Sequence, residues 1–203
     1  MIAVTSHDGY ITPEEYLELE RQSEIKHEYI DGQIYAMAGT TKAHNAISLN
    51  LAMLFREKLR NSTCQTFMAD VKVNVTEKKG VFYPDLVVTC NDDEDMNSYE
   101  VKFPKLIVEV LSPSTEQFDR GKKFRYYRTI PSLQEYILVG CQEYLVEVFR
   151  RMENNLWILQ TYEGLEAIAR VESLAIDTPL SEIYGTLDFT KTEPKEEGSD
   201  PDR

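Results

Sequence analysis

A glutamate interrupts the most apolar stretch of this chain. Leu106-Ile107-Val108-Glu109-Val110-Leu111 has the composition of a central β-strand covered on both faces. An ionised carboxylate inside such a strand is costly unless a cation pairs with it. Strand alternation puts Ile107, Glu109 and Leu111 on one face and Val108 and Val110 on the other. A second acid, Asp85, opens another apolar run, Tyr83-Pro84-Asp85-Leu86-Val87-Val88. The interval between the two acids suits a strand, an acidic loop and a return along an adjacent strand. Two acids on neighbouring strands, with a lysine at hand, are the equipment of metal-assisted phosphodiester cleavage. Lysines follow in Asp119-Arg120-Gly121-Lys122-Lys123. Simpler roles stand beside these: Asp85 as a turn residue after Pro84, Glu109 in a structural ion pair, and Lys123 in a surface i,i+4 pair with Asp119.

The remaining pattern predicts a mixed α/β chain. Thr12-Pro13-Glu14-Glu15 is a helix start, with Thr as N-cap, Pro at the first position and Glu three residues on. Glu28 to Met37 reads as a hairpin around Asp31-Gly32, since both turn positions need positive φ. Ala43 to Leu59 carries apolar residues at helical spacing, and Thr66 to Val75 alternates as one half-buried strand. A helix is expected over Glu116 to Thr129, closed by Pro131, with Ser112 and Thr115 as capping residues. Strands follow at Glu135 to Val139, Tyr144 to Arg150, Leu156 to Tyr162 and Ala167 to Val171. A short helix spans Pro179 to Tyr184. This order gives a mixed β-sheet flanked by helices, with extra antiparallel strands at the C-terminal end.

Composition narrows the partners. The 203 residues suit one domain, over 1–190, with an acidic disordered tail over 191–203. Lys and Arg number 22 against 35 Asp and Glu, a net charge of −13. Such a balance argues against broad, nonspecific nucleic-acid binding, but a carboxylate cluster around a cation is itself acidic. No apolar run is long enough to span a bilayer, and no signal-peptide pattern opens the chain. The three cysteines, Cys64, Cys90 and Cys141, form no C-x-x-C pair. They read as buried thiols in a cytoplasmic protein rather than as a disulfide framework.

In order and approximate spacing, several of these residues resemble the Uma2 family. They are Glu28 with Asp31-Gly32, His44, Pro84-Asp85, Glu109-Val110-Leu111-Ser112-Pro113-Ser114-Thr115, Asp119 with Lys123, and Glu135-Tyr136. The family is similar to a branch of the PD-(D/E)XK nuclease superfamily, and the resemblance spans roughly Tyr10 to Tyr184. It implies a restriction-endonuclease-like fold, with Asp85 and Glu109 as ligands of Mg²⁺, or of Mn²⁺ in its place. The superfamily lysine belongs two residues after the Glu, where this chain has Leu111. The resemblance moves its role to Lys123, which would orient or deprotonate water, and adds Glu28 as a third acid.

The expectation is a metal-dependent endonuclease that hydrolyses DNA phosphodiester bonds, by analogy as a homodimer. Asp85, Glu109, Lys123 and Glu28 are the catalytic candidates. His44, at a helix start, and Lys122 and Arg120, on the basic helix, are the candidates for binding substrate phosphates. The alternative is a nuclease-fold binding or regulatory module without turnover, which the acidic surface and the displaced lysine favour.

Overall fold

The computed structural model describes residues 3–4, 9–75 and 79–189. The tail expected over 191–203 lies outside them. The chain opens with β1 (Ala3–Val4), α1 (Pro13–Gln22), β2 (His27–Ile30), β3 (Gln33–Ala36) and α2 (Lys42–Lys58). The capping box of α1 forms as its sequence dictates: the Glu15 N–H donates to Thr12 Oγ1 and the Thr12 N–H to Glu15 Oε2. Between β2 and β3, Asp31 (φ 46) and Gly32 (φ 90) make the positive-φ turn.

Next come β4 (Gln65–Met68), β5 (Lys72–Val75), β6 (Gly80–Phe82), β7 (Leu86–Thr89), β8 (Glu100–Val101) and β9 (Pro104–Leu111). The single strand expected over Thr66 to Val75 is two strands in different sheets, broken where Ala69 turns to φ 54. The helix expected over Glu116 to Thr129 is also composite. It comprises α3 (Glu116–Phe118), a π-helical turn (Asp119–Lys123) and α4 (Phe124–Tyr127). Thr115 supplies no side-chain cap to it and instead bonds the Ser112 hydroxyl. β10 (Glu135–Gly140), β11 (Leu145–Arg151), β12 (Trp157–Glu163), β13 (Ile168–Val171), β14 (Ile176–Pro179) and α5 (Leu180–Tyr184) complete the order.

The strands form two six-stranded sheets and a two-stranded ribbon. The first sheet runs β1-β3-β2-β6-β5-β8, the second β12-β11-β10-β9-β7-β4, and β13 pairs with β14. In the second sheet, β9 is parallel to β10 and antiparallel to β7, so the sheet is mixed. Alternation along β9 feeds two cores. Leu106, Val108 and Val110 pack with Ile47, Leu51 and Phe55 of α2 and with Ile183 of α5. Ile107 and Leu111 pack on the other side, against Phe82 and Val73 of the first sheet and Tyr126 and Tyr127 of α4. A Cβ on Gly80 would lie 2.5 Å from the Tyr126 ring, so the bare backbone there lets α4 close onto the first sheet. That contact seats the helix carrying Lys123 over the second core.

The cysteines depart from expectation. Cys64 and Cys90 are joined as a disulfide, and Cys141 alone is free and buried. The cause is register: β4 pairs β7 with Gln65 opposite Thr89, so the residues one step further out face each other.

Candidate active site

Strand register brings the two acids together. β7 pairs β9 with Leu86 opposite Val108 and Val87 opposite Ile107. One step further along the same ladder, Asp85 stands opposite Glu109. The Val110 N–H donates to Asp85 Oδ2 at 2.7 Å, and His44 Nε2 lies 3.3 Å from the same oxygen. His44 is placed by the first turn of α2, where its N–H donates to the N-cap Thr41 hydroxyl. Its Nδ1 is buried with no hydrogen-bond partner among the described residues.

Glu109 points to the side where the composite helix lies. Lys123 Nζ sits 2.9 Å from Glu109 Oε1, 2.9 Å from Glu28 Oε1 and 3.7 Å from Asp119 Oδ1. All four residues are buried, none more than 4% exposed. The Tyr127 hydroxyl donates to Glu109 Oε1 at 3.1 Å, and the Tyr83 N–H to Glu28 Oε1 at 3.3 Å. A π turn has more residues per turn than an α-helix, and π segments recur at functional sites. Here Asp119 and Lys123, the ends of that turn, are buried, while Gly121 and Lys122 stay exposed.

One ammonium therefore faces three carboxylates. Burial raises the Glu109 carboxyl well above the ordinary Glu value, and Asp119, Asp85 and Glu28 add repulsion that Lys123 only partly offsets. Asp119 is raised in the same way, burial first. Burial also disfavours the Lys123 charge, but Glu109, Glu28 and Asp119 outweigh it and hold the ammonium protonated well above the ordinary Lys value. Burial is the first cause for both acids, and the neighbouring carboxylates act in the same direction, as three acids around one ammonium require. His44 is likewise raised, because Asp85 overcomes the opposing effect of its burial.

Carboxylates are the donors a hard divalent cation takes, and Mg²⁺ keeps several waters while binding one or two of them. Asp85 Oδ1 and Glu109 Oε2 carry no hydrogen bond within the described residues, so Asp85 and Glu109 fit that role. Among the described residues, no three His, Cys, Asp or Glu side chains converge on one metal position. What Asp85 and Glu109 offer a cation is a pair of acids, not a cage.

The structure brings Asp85, Glu109, Glu28, Lys123 and His44 into one neighbourhood. It leaves Lys122 exposed, and it commits Arg120 to carboxylates: Nε donates to Glu116 at 2.7 Å and Nη1 to Glu147. Sequence reasoning paired Asp119 with Lys123 only as a surface contact, whereas both are buried, and it passed over Tyr127. The signal for Asp119 and Tyr127 was present, since each stands four residues from Lys123 on the same helix.

Comparison with known proteins agrees with this architecture. Residues 13–181 match the Uma2 family, described as "Putative restriction endonuclease". The chain is 36% identical over 179 residues to the uncharacterized protein slr1290 of Synechocystis sp., covering 88% of this chain and 94% of that one. It is 36% identical over 159 residues to a second Synechocystis protein, sll1609, covering 77% and 90%. A crystal structure of a putative nuclease belonging to DUF820, from Anabaena variabilis, shares the fold. Its TM-score is 0.72 at 20% identity, over 86% of this chain and 97% of that one. The chain belongs to the Uma2 family.

Proposed function

We propose that the protein is a metal-dependent endonuclease hydrolysing DNA phosphodiester bonds at the Asp85–Glu109–Lys123 cluster. The observation that carries this reading is the buried Lys123 ammonium between Glu28 and Glu109, beside an Asp85 in register with Glu109. A structural ion pair has no use for surplus acid, whereas a cation site requires it. Asp85 and Glu109 would hold Mg²⁺, with Mn²⁺ as a substitute, and the bound cation supplies polarisation of a phosphoryl oxygen and a more acidic water.

The chain's own residues divide the remaining work. The Val110 N–H and His44 fix Asp85 through Oδ2 and leave Oδ1 toward the site. Lys123, held as an ammonium among the carboxylates, orients Glu109 and Glu28 and donates hydrogen bonds to developing negative charge. Glu28 has Oε1 taken by Lys123 and the Tyr83 N–H, which leaves Oε2 to accept a hydrogen from the attacking water. Lys122 remains available to a substrate phosphate from the solvent side.

A cytoplasmic location and a homodimer that cuts both strands belong to the same reading. In the cytoplasm, thiol buffers would hold Cys64 and Cys90 reduced. Among the described residues, no helix is long and apolar enough to cross a membrane. One observation favours the rival, a nuclease-fold module that binds without turnover: carboxylates already occupy the Lys123 ammonium.

The test is incubation with supercoiled and single-stranded DNA in Mg²⁺, Mn²⁺ or EDTA, alongside Glu109→Gln and Lys123→Ala. Metal-dependent nicking lost in both variants is the expected result. Cleavage that survives Glu109→Gln sinks the assignment. Absence of cleavage on every DNA moves the reading to the binding module.

A further inference from the structure

Most cations around the acid cluster are already spent. Lys123 is buried among carboxylates, Arg120 is held by Glu116 and Glu147, and His44 faces Asp85. An anionic polymer must nevertheless approach a pocket of surplus negative charge on a chain of net charge −13. Two lysines that play no part in the cluster stand beside it.

Both converge on Tyr83, two residues before Asp85. Lys26 Nζ lies 6.0 Å from the Tyr83 ring centroid and Lys72 Nζ 5.9 Å from it. The sheet explains the convergence. β6 lies between β2 and β5, with Tyr29 opposite Val81 and Val73 opposite Phe82. Carried to the ends of those ladders, Tyr83 has His27 on one side and Lys72 on the other. The ring cannot swing away. Its hydroxyl donates to Glu20 Oε1 at 2.8 Å, its N–H donates to Glu28, and it is 6% exposed. Each lysine is therefore within cation–π reach of one fixed ring.

The two ammoniums are also available. Lys72 makes no ion pair within 4.0 Å among the described residues; Glu100, its neighbour across the β5–β8 ladder, feels its charge from further off. Lys26 pairs with Asp70 and also reaches the Ala69 carbonyl at 3.3 Å. The Asp70 side chain is 77% exposed, however, and exposed pairs of this kind contribute little. An incoming phosphate competes with such a pair at small cost.

We infer that Lys26 and Lys72, carried on either side of Tyr83, form a seat for two backbone phosphates of DNA beside the acid cluster. This inference rests on the nuclease reading for the identity of the polymer. Phosphate contacts fix register and carry no sequence information, so the seat positions any sequence alike. Because the Tyr83 N–H also holds Glu28, one residue ties the seat to the cluster, and a strand bound there enters at Asp85.

The test reads salt dependence. Duplex DNA binding is followed by fluorescence anisotropy across a salt series, with Ca²⁺ as the cation, for wild type, K26Q/K72Q and K26R/K72R. Each lost phosphate contact removes about 0.9 from the slope of log K against log salt, so K26Q/K72Q is expected to flatten it by about 1.8. K26R/K72R restores the slope, because the charges return. In cleavage assays with Mg²⁺, K26Q/K72Q raises KM and leaves kcat near wild type. A wild-type slope in K26Q/K72Q, with metal-dependent cleavage intact, overturns the seat and leaves the nuclease. A flattened slope with no cleavage by any form keeps the seat and removes the nuclease. Wild-type protein that binds no duplex DNA at the lowest salt overturns the seat outright.

Discussion

Two buried ion clusters in this molecule look alike in outline and differ in balance. In one, Glu135 is fully buried, and its Oε1 accepts from Arg150 Nε at 2.8 Å and from the Glu172 N–H at 3.2 Å. Its Oε2 accepts from the N–H and the hydroxyl of Ser173. Arg150 also donates to the Arg170 carbonyl and pairs with Glu172. Both oxygens of Glu135 are used, and the result is a lock between β10, β11 and the turn after β13. In the other cluster, Lys123 faces Glu28, Glu109 and Asp119 together, and carboxylate oxygens remain open. Burial of charge is common to both. Surplus acid with unused lone pairs sets the second cluster apart from the first.

The sharpest way to break this contrast is to remove one acid from each. Glu135→Ala should cost about 3–5 kcal/mol of stability, since it removes the buried acceptor shared by Arg150, Glu172 and Ser173, while kcat stays near wild type. Chemical denaturation and steady-state cleavage check the two halves. Glu109→Gln should do the reverse, lowering cleavage by about 100-fold or more. The Glu109 carboxyl is raised in the folded state, so its ionisation costs stability as pH climbs above the ordinary Glu value of 4.5. Glu109→Gln escapes that cost and should be at least as stable as wild type at neutral pH, with the advantage fading as pH falls. A large loss of stability in Glu109→Gln would place it with Glu135 as a structural residue.

Smaller effects refine the same comparison. Asp119 is one of the like charges that raise Glu109. Asp119→Asn should therefore let Glu109 ionise at lower pH, and the acid limb of the pH–rate profile should move down. For His44, the folded value is raised above 6.5 by Asp85. The stability it contributes is fully present below that value and is lost as pH rises through the folded one. The His44 ring resonances should titrate above the free-histidine midpoint in wild type and return toward it in Asp85→Ala.

The sequence made local features legible and hid those that depend on tertiary register. Thr12-Pro13-Glu14-Glu15 and Asp31-Gly32 dictate their own geometry through a cap and a turn, and both form where expected. Glu109 announced itself because a charge within an aliphatic strand is chemically conspicuous. By contrast, nothing in Phe67-Met68-Ala69-Asp70-Val71 signals a break, since alanine is not a turn residue, yet the strand changes sheets there. Cys64 and Cys90 lie 26 residues apart, and only the β4–β7 register brings them together. Arg120 and Lys122 looked alike as exposed cations on one helix. Which of them met Glu147 depended on β11, a strand far along the chain.

The acid cluster is built from both large sheets. Glu28 belongs to β2 in the first, Glu109 to β9 in the second, and Lys123 reaches both from the helix between. Such long-range contacts carry the entropic cost of closing the loops between them. A chain emerging from the ribosome, or one with either sheet locally opened, has no assembled site. Assembly of the acid cluster is thereby coupled to completion of both sheets, and a half-made copy lacks the pocket altogether.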